Sequence, residues 1–151
     1  MRRECYQMKE AFMSSRVYLC DSYITHIEVE KDTIIYTFAN GVMTNMQSPN
    51  LGFERTGEAI CRIEHLNVND LNCSVRKEYC LFGKLVNFGK EMAFSKLIDE
   101  INKHKISLEI IQEYYYSGRL CWICSRKNTR QGSSDEVIIS VNGIKQFDVL
   151  W

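Results

Sequence analysis

Alternation of apolar and polar positions dominates the first third of the chain, and this period of two is typical of half-buried β-strands. In Tyr23–Glu30 the odd positions form the more apolar face, and the even positions hold a histidine and two glutamates. Thr33–Ala39 alternates in the same way, with its large apolar side chains together on one face. Between the two segments Lys31-Asp32 supplies a turn, so the pattern predicts two successive strands.

An Asn40-Gly41 dipeptide follows, and both of its positions suit the positive φ angles of a tight type I′ turn. A two-residue turn would pair Phe38 with Met43 and Ile35 with Met46. Both faces of that hairpin would then carry apolar side chains. We therefore expect either a hairpin that is covered on both sides or a loop longer than two residues.

The rest of the chain supplies further segments rich in β-forming residues. Strands are predicted at Ala59–Leu66, Cys73–Leu81, Ile106–Tyr116, Arg119–Arg126, Glu136–Val141 and Ile144–Trp151. Ile106–Tyr116 also fits a short helix that Ser107 would cap, but its even positions are mostly apolar and favour a strand. Ser117-Gly118 and Asn142-Gly143 are expected to close hairpins, because such dipeptides suit tight turns.

Residues 91–103 carry the clearest helical pattern of the chain. Apolar side chains recur there at positions i, i+3, i+4 and i+7, which forms one stripe at the helical period. These side chains are Phe94, Leu97, Ile98 and Ile101. Lys96 and Glu100 lie one turn apart on the outside, where we expect a weak ion pair. The pattern predicts one amphipathic helix whose stripe packs into the core.

The length of 151 residues suits a single domain, and no Gly/Ser linker or repeat divides residues 1–151. About eight strands and one helix follow from the patterns above. We therefore expect an α+β fold, built as a mainly antiparallel β sandwich or partly open barrel. Its one amphipathic helix, at about residues 91–103, would cover one face.

Charge and cysteine content narrow the class of partner and the compartment. Nineteen basic and nineteen acidic residues cancel, which argues against nucleic acid, because phosphate binding usually leaves a basic excess. No signal-peptide core follows the first residues, and no window approaches the roughly 18 apolar residues of a membrane span. We expect a cytoplasmic protein of bacterial type, without a membrane contact, whose seven cysteines stay reduced.

The cysteines offer two candidate arrangements, one for redox chemistry and one for a metal site. Cys121 and Cys124 form a CxxC motif, but inside a strand an offset of three puts the two sulfurs on opposite faces. A zinc site would have to draw on Cys61, His65, Cys73 and Cys80, with or without Cys121 or Cys124. That spacing lacks the close ligand pairs of structural zinc sites. We therefore assign no metal and no cofactor, and interpret the thiols as core packing.

The acid–base set that the sequence offers is His26 with Asp21 or Glu28, on the polar face of a predicted strand. No nucleophile elbow, zincin motif or phosphate-binding loop accompanies it. We assign no catalytic residue.

A tyrosine triplet beside arginines and a tryptophan is the strongest candidate for a contact surface. Tyr, Trp and Arg are the residue types enriched at the energetic centres of protein interfaces. Alternation sends Tyr115 to one face and its two neighbours to the other, so part of the triplet belongs to the core. Tyr115, Tyr116, Arg119 and Trp122 are the predicted partner-binding residues.

The segment from Leu19 to Ile27, followed by Asp32 to Gly41, resembles the opening of a group of small, uncharacterised bacterial β-rich proteins. These proteins often begin with an Asp-containing strand, a second strand and a Phe-x-x-Gly turn. Residues 109–115 and the final Trp151 resemble the later hairpin and aromatic end of that group. Cys20 stands where such proteins often have a histidine before the Asp. Some proteins of this kind resemble immunity proteins that neutralise a partner toxin, and the resemblance implies such a role.

The sequence therefore predicts a non-enzymatic, cytoplasmic domain that binds a partner protein, with an immunity-like neutraliser as its specific form. The alternative is a β barrel that binds a small molecule or a metal, with the helix closing one end and His65 or Cys61 inside. An enzyme that uses His26 ranks third.

Overall fold

Two large antiparallel sheets dominate the fold. The computed structural model describes residues 2–7, 17–45, 52–65, 71–81, 84–116, 118–128 and 134–151. In spatial order, the five-stranded sheet consists of β1 (Arg3–Gln7), β14 (Ile144–Leu150), β8 (Ala59–His65), β5 (Thr33–Phe38) and β4 (His26–Glu30). The six-stranded sheet consists of β10 (Lys84–Glu91), β9 (Leu71–Leu81), β13 (Ser134–Asn142), β12 (Arg119–Asn128), β11 (Ile106–Tyr116) and β3 (Ser22–Ile24). The fold also contains a helix, α1 (Phe94–Asn102). A small third sheet consists of β2 (Val17–Tyr18), β6 (Met43–Thr44) and β7 (Glu54–Arg55).

The two large sheets pack through their apolar faces. Tyr36 of β5 meets Trp122 of β12 edge to face, with ring centroids 4.8 Å apart, which is a favourable aromatic geometry. Tyr115 of β11 approaches Phe147 of β14 at 5.6 Å. Buried side chains from both sheets and α1 join in one core cluster. The predicted α+β class, mainly antiparallel with one helix, is confirmed, and the sheets do not close into a barrel.

One continuous segment links the two sheets at one side of the sandwich. β3 pairs with β11, whereas β4 pairs with β5, so the chain changes sheet at Thr25. Thr25 makes this step through its backbone N–H and its hydroxyl, which both donate to the Thr37 carbonyl, at 2.8 and 3.0 Å. The inward positions therefore shift from Ser22 and Ile24 to Ile27. The predicted single apolar face of odd positions across Tyr23–Glu30 is wrong, because the crossing resets the alternation.

The helix α1 packs against both sheets, and its predicted apolar stripe is confirmed. Leu97 and Ile101 are buried in the core, and Phe94 and Ile98 pack against it. At the end of α1 the Asn102 side chain accepts a hydrogen bond from the Ile27 N–H and donates one to the Ile27 carbonyl, at 2.9 and 2.8 Å.

The predicted partner of Glu100 on α1 is wrong. Lys96 forms no ion pair within the described ranges, and Glu100 instead approaches Arg126 of β12 at 3.5 Å. A cross-element partner replaced the predicted neighbour because Glu100 faces the six-stranded sheet rather than open solvent. Across the described ranges, no helix is long and apolar enough to cross a lipid bilayer.

Both Asn-Gly dipeptides connect different sheets instead of closing hairpins. After Gly41 the chain leaves β5 for β6 of the small sheet, so Met43 lies opposite Tyr18 and Arg55 rather than Phe38. Met46, its other predicted pairing partner, lies outside the described residues. After Gly143 the chain passes from β13 to β14, which pair in different sheets. The Asn142-Gly143 hairpin prediction is wrong, whereas after Asn40-Gly41 the alternative of a loop longer than two residues holds, since residues 39–42 separate β5 from β6. A tight turn fixes the local bend but not which strand becomes the neighbour.

Other strand predictions hold, but β1, β2, β7 and β10 form in segments for which no strand was predicted. Ile106–Tyr116 is a strand rather than a helix, and Tyr116 lies opposite Arg119 across the predicted turn. Ala59–His65 and Leu71–Leu81 confirm the two strands of the middle region, although they lie in different sheets. Among the strands that the sequence pattern did not predict, Lys84–Glu91 is the longest, and it contains Gly89.

Gly41 is a position where only glycine fits. Its φ is +74°, and a Cβ atom there would collide with the carbonyl oxygens of Thr56 and Gly57.

Gly41→Ala should lower the free energy of unfolding by about 2 kcal/mol or more, because strain at positive φ adds to the clash. Urea denaturation followed by circular dichroism measures this change. Gly89→Ala, where a Cβ meets nothing within 4 Å, is the control and should change stability by less than about 0.5 kcal/mol. Equal losses in both variants would contradict this account of Gly41.

Candidate functional site

A β-bulge in β11 determines which side chains of the tyrosine triplet are exposed. The register of β11 against β12 shifts between Ile110 and Gln112. Before the bulge the even positions, such as Leu108 and Ile110, are buried. One extra residue exchanges the two faces of a strand, so the odd positions Glu113 and Tyr115 point inwards after it.

The bulge overturns part of the predicted pattern for β11. The even positions were expected to share one apolar face along the whole strand, but Tyr114 and Tyr116 are 48% and 57% exposed. The bulged residue Ile111 is also exposed. No residue type in this segment signals the extra residue, because the register of β12 decides where it falls.

The outward side chains of β11, β12 and β13 form the candidate site, which we call the outer patch. The strand register places Tyr114 next to Cys121, and Tyr116 next to Arg119. Gln112, Ile123 and Ile138 form the adjacent row. The outer patch consists of Ile111, Tyr114, Tyr116, Arg119, Cys121, Ile123 and Ile138. Apolar side chains lie at its centre, and polar groups such as the Arg76–Glu136 ion pair border it.

The four predicted contact residues divide between the two sides of the sheet. Tyr116 and Arg119 are exposed neighbours in the outer patch, as the Ser-Gly turn between their strands requires. Trp122 is fully buried against Tyr36 and offers no surface to a partner. Tyr115 packs against the core beside Phe147. Trp122 is therefore internal and Tyr115 is half-buried on the inner face, and the exposed Tyr114 takes their place in the candidate site.

A hydrogen-bond chain beneath the outer patch holds the inward residues of β11. The Trp122 indole N–H donates to the Tyr115 hydroxyl at 3.3 Å, and that hydroxyl donates to Glu113 Oε2 at 2.9 Å. The Leu19 N–H donates to the same carboxylate oxygen at 3.1 Å. Burial raises the pKa of Glu113 above its usual range, although the hydrogen bonds from Tyr115 and Leu19 lower it in part. The carboxylate is thus held in place without a cationic partner among the described contacts.

Among the described cysteines, Cys61, Cys73 and Cys124 are buried, where packing rather than reactivity accounts for them. Cys124 is buried and Cys121 lies half-exposed on the other side of β12, so the predicted separation of the CxxC sulfurs is confirmed. Burial raises the pKa of the Cys73 thiol to about 11 and that of Cys61 well above its ordinary value. Such thiols stay protonated and unreactive at neutral pH.

The other candidate chemistry is not assembled in the described parts of the chain. No group of three or more His, Cys, Asp or Glu residues there has the geometry to hold a metal ion. The side chains of His65 and Cys80 lie outside that description. Asp21, His26 and Glu28 are exposed, and no described hydrogen bond or ion pair joins them.

Comparison with known proteins gives no relative from which a function could be transferred. No protein-family model, no curated protein and no solved structure matches the chain.

The buried Glu113 should make stability depend on pH. Its pKa is higher in the folded chain than the ordinary value of 4.5, so its contribution to stability is full below that value and is lost as pH rises through the raised pKa. Glu113→Gln keeps an oxygen for both hydrogen bonds and removes the charge. We expect the free energy of unfolding of this variant, relative to wild type, to rise from pH 5 to pH 8.

Urea denaturation at several pH values measures this difference. Glu54→Gln, at an exposed carboxylate of β7, serves as the matched control. Curves for wild type and Glu113→Gln that remain parallel across the range would show that Glu113 does not carry the effect.

Proposed function

We propose that this protein is a non-enzymatic binding domain and that the outer patch is the surface on which it binds a partner protein. The observation that carries the proposal is the bulge in β11, which exposes Tyr114 and Tyr116 and turns Glu113 inwards. A bulge that re-aims side chains is commonly a functional feature of a sheet.

The energetic argument concerns what the bulge does to folding. Burying a large apolar side chain contributes on the order of 1.5–3 kcal/mol, whereas removing a carboxylate from water costs several kcal/mol. The bulged register of β11 exposes Tyr114 and Tyr116, and it turns Tyr115 and the half-buried carboxylate of Glu113 inwards. Since the fold gains little from this exchange, an intermolecular role for the exposed tyrosines supplies the reason for it.

The composition of the outer patch indicates the chemistry of its partner. Ile111, Ile123 and Tyr114 supply an apolar centre, which fits a protruding apolar side chain. The exposed Arg119 beside Tyr116 fits a carboxylate at the border of the partner surface. Tyr and Arg at the same surface are frequent energetic centres of protein interfaces. A folded protein surface offers both features, and a nucleic-acid backbone lacks the apolar one.

The resemblance to small bacterial β-rich proteins refines the proposal. It supports an immunity-like role, in which the domain neutralises a partner protein by covering its working surface. The proposal places the domain in the cytoplasm of a bacterium. The free cysteines support this, since Cys20, Cys61, Cys73, Cys121 and Cys124 are all unpaired.

Site-specific photo-crosslinking tests the position of the surface. In one variant a photoreactive phenylalanine analogue replaces Tyr116. In the control variant it replaces Val29, an exposed residue of β4 in the other sheet. In cells of the source organism, we expect a protein adduct from position 116 that position 29 does not give. The same adducts at both positions, or none at position 116, would contradict the proposed surface.

Alanine substitutions then measure the contribution of each side chain to the complex with the crosslinked partner. Tyr116→Ala should weaken binding by about 2 kcal/mol, roughly 30-fold, because a central tyrosine contact is lost. Arg119→Ala should weaken binding and reduce its salt dependence, since one charged contact disappears. Isothermal titration calorimetry measures both.

Val29→Ala is the matched control and should bind like wild type. All three positions are exposed, so thermal unfolding should change little in each variant. A Tyr116→Ala variant that binds as tightly as Val29→Ala would remove the tyrosine from the interface.

A further inference from the structure

A second surface, on the opposite side of the six-stranded sheet, combines apolar and cationic side chains. Inward positions change from apolar to charged towards one end of this sheet. In β12 the inward series runs from Trp122 and Cys124 to Arg126, and in β9 it runs from Val75 to Lys77. The charged positions follow the buried ones along each strand, and Arg126 lies at the margin of the core beside Met92 and Glu100.

These residues form a groove between β9, β10 and the start of α1, which we call the helix-start groove. Its volume is about 670 Å³, within the range of small-molecule sites. Phe88, which is 55% exposed, and Met92 and Val75 provide its apolar part. The charged lining residues are Lys77, Lys90, Glu91, Lys96 and Arg126.

Two of the four cations in the groove are compensated by acids nearby. Arg126 pairs with Asp135 at 2.5 Å and approaches Glu100 at 3.5 Å. Lys77 lies 3.5 Å from Asp135. Burial works to raise the pKa of Asp135, but Arg126 and Lys77 outweigh it, so this pKa lies below its ordinary value. Asp135 is therefore a fixed anion that holds the wall of the groove.

The other two cations, Lys90 and Lys96, have no ion-pair partner in the part of the chain that is described. Lys96 lies in the first turn of α1, where a cation opposes the helix dipole. That turn contains no acidic residue, and no side chain caps it. The groove thus has an excess of positive charge next to an apolar surface, in a chain whose total charge is zero.

We propose that the helix-start groove binds an amphipathic carboxylate, a medium-chain fatty acid in its chemistry, with the carboxylate beside Lys90 and Lys96 and the chain along Phe88 and Met92. Charge complementarity identifies the head group, because Lys90 and Lys96 line the same groove, and even with Glu91 counted the lining keeps an excess of positive charge. The apolar lining of Val75, Phe88 and Met92 identifies the tail, since a small inorganic anion makes no apolar contact with it. This site is separate from the outer patch and does not depend on the partner protein.

Calorimetric titration of the whole protein with octanoate tests the site. Octanol controls for the tail alone, inorganic phosphate for an anion alone, and hexaglutamate for an acidic peptide. We expect saturable octanoate binding that weakens at high salt, because screening reduces the contribution of the lysines. Octanol and phosphate should bind at least about tenfold more weakly, since each lacks one half of the contact.

Substitutions assign the binding to the groove. Lys90→Gln and Lys96→Gln should each weaken octanoate binding by about tenfold, the loss expected for one charge-assisted contact. Lys145→Gln, at an exposed lysine of β14 in the other sheet, is the matched control and should bind like wild type. Both groove lysines are exposed, so the variants should unfold at the same temperature as wild type.

Three results would overturn the proposal. Octanoate binding that is equal in Lys90→Gln, Lys96→Gln and Lys145→Gln would place the ligand elsewhere. Hexaglutamate binding tighter than octanoate would make the groove a site for acidic polypeptide. The absence of octanoate binding at millimolar concentration would exclude the site as a carboxylate pocket.

Discussion

Each strand of a two-sheet sandwich has to keep one face against the core, so its side chains alternate between inward and outward positions. The other features of this fold depend on where a strand keeps that alternation and where it shifts it by one residue. Tyr36 and Trp122 meet between the sheets because their strands keep an unbroken period of two. Thr25 resets the period when the chain changes sheet, and the bulge after Ile110 resets it inside β11. The second reset creates the outer patch, and the change from apolar to charged inward positions creates the helix-start groove.

Sequence patterns predicted the local structure well and the neighbours poorly. The helix stripe and the buried face of Thr33–Phe38 follow from periodicity, which each segment carries in itself. Asn142-Gly143 predicts a hairpin that does not form, because a dipeptide specifies a bend and not the sheet that the next strand joins. Lys84–Glu91 was missed because pairing with β9 forms it despite its glycine. Strand partners are properties of the whole fold, so a single segment does not reveal them.

The candidate site divides along the same line. Tyr116 and Arg119 were recognised as neighbours because one turn connects them. Trp122 was mistaken for a contact residue, since residue type alone does not distinguish a core tryptophan from an interface one. The helix-start groove was missed because its cations come from β9, β10, α1 and β12. The sequence does carry one signal of charged residues on the inner face. Lys77 follows Val75 and Arg126 follows Cys124 by two residues, so each cation shares the inward face of its strand.

The amide of Asn102 has a consequence for how copies of this protein behave at high concentration. It occupies the backbone N–H and carbonyl of Ile27, the groups through which β4 would accept a further strand. β4 lies at one border of its sheet, and unpaired borders promote edge-to-edge aggregation. The Asn102 side chain thus blocks the free edge of β4, so that a strand from a second copy of the protein cannot pair with the five-stranded sheet at Ile27.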